Sequence, residues 1–129
     1  MNDHPADPAP LAGVRVLDLT RYLAGPFATM LLADYGADVV KVEGRKGREF
    51  QTPGQTDSYF FLSANRGKRS LTVDFAQAAG RELLLRLLPR FDVLVENFRP
   101  GVMESLGLAA TDLTQRFPRL IYCGVSGFG

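Results

Sequence analysis

An α/β fold, with a mostly parallel sheet and helices on both of its faces, is what this sequence predicts. Short strand-like runs at Val14–Leu19, Val39–Val42, Leu71–Val73, Asp92–Val95 and Leu120–Gly124 alternate with stretches of helical spacing. The first run is β-branched and leucine-rich, as suits a strand buried on both faces. Parallel strands joined through helices cross over right-handedly, which brings the strand ends to one edge. With 129 residues, 46% hydrophobic and 22% charged, the chain can bury one core and falls outside disordered compositions.

The elements follow in order. Residues 1–12 are rich in Pro, Ala and Asp and are expected to form a flexible tail before a domain over 13–129. After the first strand, Gly25-Pro26 places a proline at the first helical position. That helix should run to about Tyr35, with Gly36 as its C-terminal cap. Beyond the second strand, Glu43–Ser58 is long, polar and glycine-containing, a loop length more often functional than incidental. After the third strand, Asp74 and Gln77 have capping-box spacing. The helix they would start has Gly80, Leu84, Leu87 and Leu88 on one face and ends at Pro89. A short helical piece over about Gly101–Leu106 stops at Gly107, and a second follows Thr111. The fifth strand runs into Ser126-Gly127-Phe128-Gly129, a loop of the kind α/β proteins aim at ligands, with nothing after it. A truncated domain is therefore expected.

Composition excludes several classes. A net charge of +1 gives no general attraction to nucleic acid or anionic membrane. There is no long apolar run and no leader pattern. The single cysteine, Cys123, cannot form an internal disulfide; it is read as a core residue, and a reducing cytoplasm is the natural setting. His4 is the only histidine, which removes a Ser-His-Asp triad and a Cys/His metal cluster, so no metal is expected. The turn Thr20–Pro26 holds one glycine where a dinucleotide fingerprint needs three, although Glu43 ends strand two, and no triphosphatase phosphate loop is present.

Ligands of such a sheet bind beyond the carboxyl ends of its strands. The segments there are Thr20–Pro26, Glu43–Arg48, Asp74–Gln77, Glu96–Gly101 and Ser126–Gly129. Between Lys41 and Arg69 there are seven Lys or Arg residues against Glu43, Glu49 and Asp57. Asn65-Arg66-Gly67-Lys68-Arg69-Ser70 and Val95–Val102 both set cations and glycines beside a strand, which suits a phosphate-bearing ligand. Arg66, Lys68 and Arg69 either meet phosphate or pair with Glu43 or Glu96. Asp18, inside the first strand, is read as bonding backbone amides at the strand end and not as a nucleophile.

These residues also carry a resemblance. Val16–Thr20 with Ala24-Gly25-Pro26, then Leu32–Glu43, Asn65–Leu71, Val93–Met103, and Leu120-Ile121-Tyr122 with Ser126–Gly129 resemble successive blocks of the class III CoA-transferases. That family includes formyl-CoA and carnitine-CoA transferases and 2-methylacyl-CoA racemase. The resemblance implies a Rossmann-like domain and, for the full-length protein, an interlocked homodimer. It implies acyl-CoA and a carboxylic acid as substrates, with an aspartate nucleophile that lies beyond this chain. Alternatives are a racemase abstracting an α-proton, or a non-catalytic CoA-binding fragment.

Carried over by position, the CoA contacts fall on Leu23 and Ala24, on Val73, Asp74, Phe75 and Ala76, and on Asn97, Phe98 and Arg99. A helix starting after Asp74 would offer backbone N–H groups, and Arg99 a guanidinium for phosphate. Phe98 either lies against adenine or packs in the core. Asn97 either meets CoA or fixes the turn before Pro100. Two departures stand out: Ser105 replaces a frequent arginine, and Gly44 stands where relatives have a cation or proline, so Arg45, Lys46 or Arg48 would have to substitute.

Overall fold

A computed structural model describes residues 8–44 and 59–127, apart from the side chain of Phe60. Strands β1 (Arg15–Asp18), β2 (Asp38–Glu43), β3 (Arg69–Thr72), β4 (Val93–Glu96) and β5 (Ile121–Gly124) form one sheet in the order β3-β2-β1-β4-β5, every pairing parallel. β1, at the centre, is apolar enough to be covered on both sides, as are its neighbours β2 and β4; Val16 and Leu17 are fully buried. Chain direction switches between β2 and β4 on either side of β1. Such a switch leaves a crevice above the strand ends.

Helix α1 (Ala24–Asp34) covers one face, sealing Val16, Val39 and Val95 with Leu32 and Ala33, and α2 (Tyr59–Asn65) packs beside it. The other face carries α3 (Ala78–Leu87), a 3-10 turn at Leu88–Arg90, α4 (Val102–Ser105) and α5 (Ala110–Arg116). Leu84, Leu88, Met103 and Leu113 there interdigitate with Leu17, Leu19 and Leu94. At the start of the described chain, Leu11 donates its N–H to the Tyr35 carbonyl and packs under α1.

Several expectations need correction. α1 begins at Ala24, which makes Pro26 its third residue; a left-handed backbone at Tyr22 (φ 65°) turns the chain into the helix early. Asp74 does not cap α3. Its carboxylate accepts the Ala76 N–H in a local turn, and the helix starts four residues later, at Ala78. Residues 59–65 form a helix that the sequence pattern did not reveal. Cys123 is exposed: it lies on edge strand β5 with Ile121, on a face no described helix covers. Residues 45–58, with Arg45, Lys46 and Arg48, together with the tail to residue 7 and Phe128-Gly129, lie outside the described residues.

Candidate functional site

Parallel pairing sets the ends of β1, β3 and β4 on one edge, and their following segments touch. Asn97, after β4, grips the backbone of Arg21 after β1: its Oδ1 accepts the Arg21 N–H at 2.7 Å and its Nδ2 donates to the Arg21 carbonyl at 2.8 Å. The Phe75 ring, after β3, meets Phe98 edge-on at 5.9 Å. The Arg21 guanidinium lies over Phe98, 5.1 Å from its centroid, in cation–π range. The three segments expected to contact CoA are thus one surface.

Their side chains divide into framework and surface. Val73 and Phe75 are buried in the core, so they present backbone only. Phe98 packs against that core and takes Arg21 on its ring. Leu23, Ala24, Ala76 and Arg99 are exposed, and Asp74 is half-buried. Asn97 holds the β1–α1 turn in place of the turn before Pro100. Gly25 makes this possible, since a Cβ there would come within 2.6 Å of Thr20 Cγ2 and 3.1 Å of Asn97 Cγ.

Beside Arg99 opens a cleft of about 240 Å³ whose walls include Glu96, Pro100, Met103, Glu104, Tyr122 and Ser126. Glu96 is held by the Phe98 N–H at 2.8 Å and the Tyr122 hydroxyl at 3.2 Å. Burial, then the charges of Glu96 and Glu104, push the Tyr122 phenol far above its usual value, so it stays a donor. Two carboxylates against one guanidinium make the cleft interior unsuited to phosphate, and Arg99 is the exposed cation among its walls.

Under the β1–α1 turn lies a buried charge network. Asp18, at 0% exposure, accepts the Thr20 N–H and hydroxyl on Oδ1 and the Thr29 hydroxyl on Oδ2. Lys68 Nζ reaches Asp18 Oδ2 at 2.9 Å, and the Pro26 carbonyl, Thr29 Oγ1 and Asn65 Oδ1 at 2.8 Å each. Lys41 Nζ donates to the Thr20 carbonyl at 2.7 Å and stands 3.7 Å from Asp18. Asp18 therefore bonds a backbone amide as expected, and two lysines besides. The neighbouring Arg66 and Arg69 also pair with carboxylates distant in sequence: Arg66 with Asp34, and Arg69, bidentately, with Asp38. These partners differ from the expected Glu43 and Glu96.

Burial alone would raise the Asp18 carboxyl, yet Lys41, Lys68 and the two hydroxyls outweigh it and hold the group below 3.8. A depressed carboxyl contributes stability above its unfolded value and loses it as pH falls through the folded one. Thermal melts should therefore decline steeply below about pH 4. An Asp18→Asn variant should start less stable and decline less over the same interval; parallel curves would refute the assignment.

Sequence reasoning included Arg21 and Tyr22 in the segment after strand one without giving either a role, and it missed Thr29 and Tyr122 as parts of this region. A polar residue inside an otherwise apolar first strand was the available signal for the network, and Tyr22's backbone left none.

A model of CoA-transferase family III matches residues 11–129, and the chain belongs to that family. It is 47% identical over 133 residues to an acyl-CoA transferase of Fusarium pseudograminearum, covering 92% of this chain and 29% of that protein. It is 46% identical over 125 residues to succinyl-CoA:glutarate CoA-transferase of Mus musculus, covering 93% and 29%. The fold matches the crystal structure of Rv3272 from Mycobacterium tuberculosis (TM-score 0.85, 46% identity) and of a CAIB/BAIF family protein from Brucella suis (TM-score 0.84, 43% identity). Each match covers 94% of this chain and 34% of the other. The chain thus spans about a third of the length of these relatives.

Proposed function

We propose that this chain carries the CoA-binding part of an enzyme that moves coenzyme A from an acyl-CoA thioester to a carboxylic acid. The observation that carries this reading is the convergence of three strand ends, through Asn97 on Arg21 and Phe98 on Phe75, beside the exposed Arg99. Leu23, Ala24, Asp74 and Ala76 face the ligand directly; Val73, Phe75, Asn97 and Phe98 shape the surface. Arg99 holds a phosphate at the cleft rim.

The chemistry is assigned to an aspartate beyond this chain. Its carboxylate attacks the thioester carbonyl, expelling CoA thiolate and leaving a mixed anhydride. The thiolate then attacks the aspartyl carbonyl, releasing the first acid and forming an aspartyl thioester. Acceptor carboxylate attacks that thioester, and the thiolate returns to the new acyl group, freeing the aspartate. Relatives named as transferases, in fungus and mouse, favour this over α-proton abstraction. In the complete gene product, assembled as a homodimer, the residues described here bind and orient CoA.

Isothermal titration of CoA tests the reading. Arg99→Ala should weaken binding by about 1–3 kcal/mol, roughly 5- to 150-fold. Unchanged affinity would return Arg99 to a surface role. Absence of saturable binding by the complete gene product at millimolar CoA would refute the proposal.

A further inference from the structure

We infer that Lys68 is a positioning residue: it reaches from the start of β3 beneath α1 and fixes the β1–α1 turn in its ligand-binding shape. This rests on the CoA-binding reading for its consequence, but its geometry stands alone. The turn carries the left-handed Tyr22, a conformation a bulky side chain adopts only when its surroundings impose it. Two anchors impose it. Asn97 grips the turn at Arg21, and Lys68 takes the far end by donating to the Pro26 carbonyl and Thr29 Oγ1. In α1 these are the third and sixth residues, so a single ammonium ties the first turns of the helix to Asp18 of β1 and Asn65 of α2.

The anchor is costly enough to imply a purpose beyond packing. The Lys68 side chain is 1% exposed, and its three protons are shared among four oxygens. Methionine would fill similar space without desolvating a charge. What methionine lacks is the ability to hold the Pro26 carbonyl, Thr29 Oγ1 and the Asp18 carboxylate at fixed separations. Leu23 and Ala24, which face the proposed ligand, lie between the two anchors. A shift of the turn therefore moves them directly.

Lys68 also gives the turn a titratable foot. Burial pulls its amine down to about 8; Asp18 opposes the shift and Lys41 adds to it. The charged groups facing it are Asp18 from β1 and Lys41 from β2, while α1 and α2 present the Pro26 carbonyl, Thr29 hydroxyl and Asn65 amide. Loss of a proton leaves two donors for four acceptors.

The test compares wild type, Lys68→Met and Lys68→Arg in the complete gene product, by amide exchange at residues 21–25 and 27 and by titration with acetyl-CoA, which has no ionising thiol. Lys68→Met should speed exchange in the turn at least tenfold more than in β1 and β4, and raise the acetyl-CoA Kd at least tenfold. Lys68→Arg should recover part of both. Turn exchange within twofold of wild type, with the strands intact, would overturn the inference. So would an unchanged Kd in a wild type that binds. A wild type that does not bind acetyl-CoA refutes the proposed function, while the exchange comparison still decides the role of Lys68. Where Lys68→Met does not fold, the wild type alone decides. Protection of the turn relative to β1 should fall as pH rises through about 8, and a constant ratio would overturn the inference.

Discussion

Asp18→Ala should destabilise the fold by about 3–5 kcal/mol, a large fraction of the stability of a domain this size. The carboxylate is fully buried, and the Lys68 and Lys41 side chains beside it are 1% and 9% exposed. Removing it takes the nearest counter-charge from the buried Lys68 ammonium and leaves the Thr20 amide without its acceptor. The penalty has a ceiling, because Lys68 can shed its proton when charge becomes too costly. Replacing Asp18 and Lys68 together by apolar residues of similar volume should therefore cost much less than either single change. Urea unfolding of the four proteins measures the coupling. Additive single effects, or an Asp18→Ala loss below about 1 kcal/mol, would refute a buried ion network.

Gly80→Ala carries the second large effect, and here two forces oppose. Alanine is worth about 1 kcal/mol over glycine inside a helix. A Cβ on Gly80, however, would stand 2.6 Å from the Asp74 carbonyl carbon and 3.0 Å from the Phe75 nitrogen, both backbone atoms that no rotamer change can clear. Arg81 pins the same loop through the Ala76 carbonyl at 2.6 Å. Overpacking should win, for a net loss of about 2–3 kcal/mol. The displaced Phe75 would also push on Phe98, so CoA affinity should fall along with the unfolding midpoint. A variant as stable as wild type would show that loop and helix separate freely.

Much of the fold was legible because its signals are local. The apolar run at Val16–Leu19 marks a doubly covered strand, and Gly36 (φ 99°) ends α1 where only a residue without Cβ sits easily. Parallel order then follows from alternation, and with it the edge formed by the carboxyl ends of the strands. Long-range partnerships were not legible. Arg66, Lys68 and Arg69 are adjacent in sequence, yet they pair with Asp34, Asp18 and Asp38 on three different elements. Nothing in their spacing distinguishes the buried ammonium from its exposed neighbours. α2 escaped notice because Tyr59 and Leu62 are exposed and, among its described side chains, only the small Ala64 is fully buried. The grip of Asn97 on Arg21 was equally hidden, because the two residues are distant in sequence.

The exposed thiol of Cys123 makes the open margin of the sheet chemically addressable. It is the sole cysteine, so a maleimide reagent marks one atom on β5 without engineering. Its labelling rate is a footprint of whatever lies over that strand. Fast modification of this thiol would register, in seconds of reaction time, a margin that stands open, and slow modification a margin that something covers.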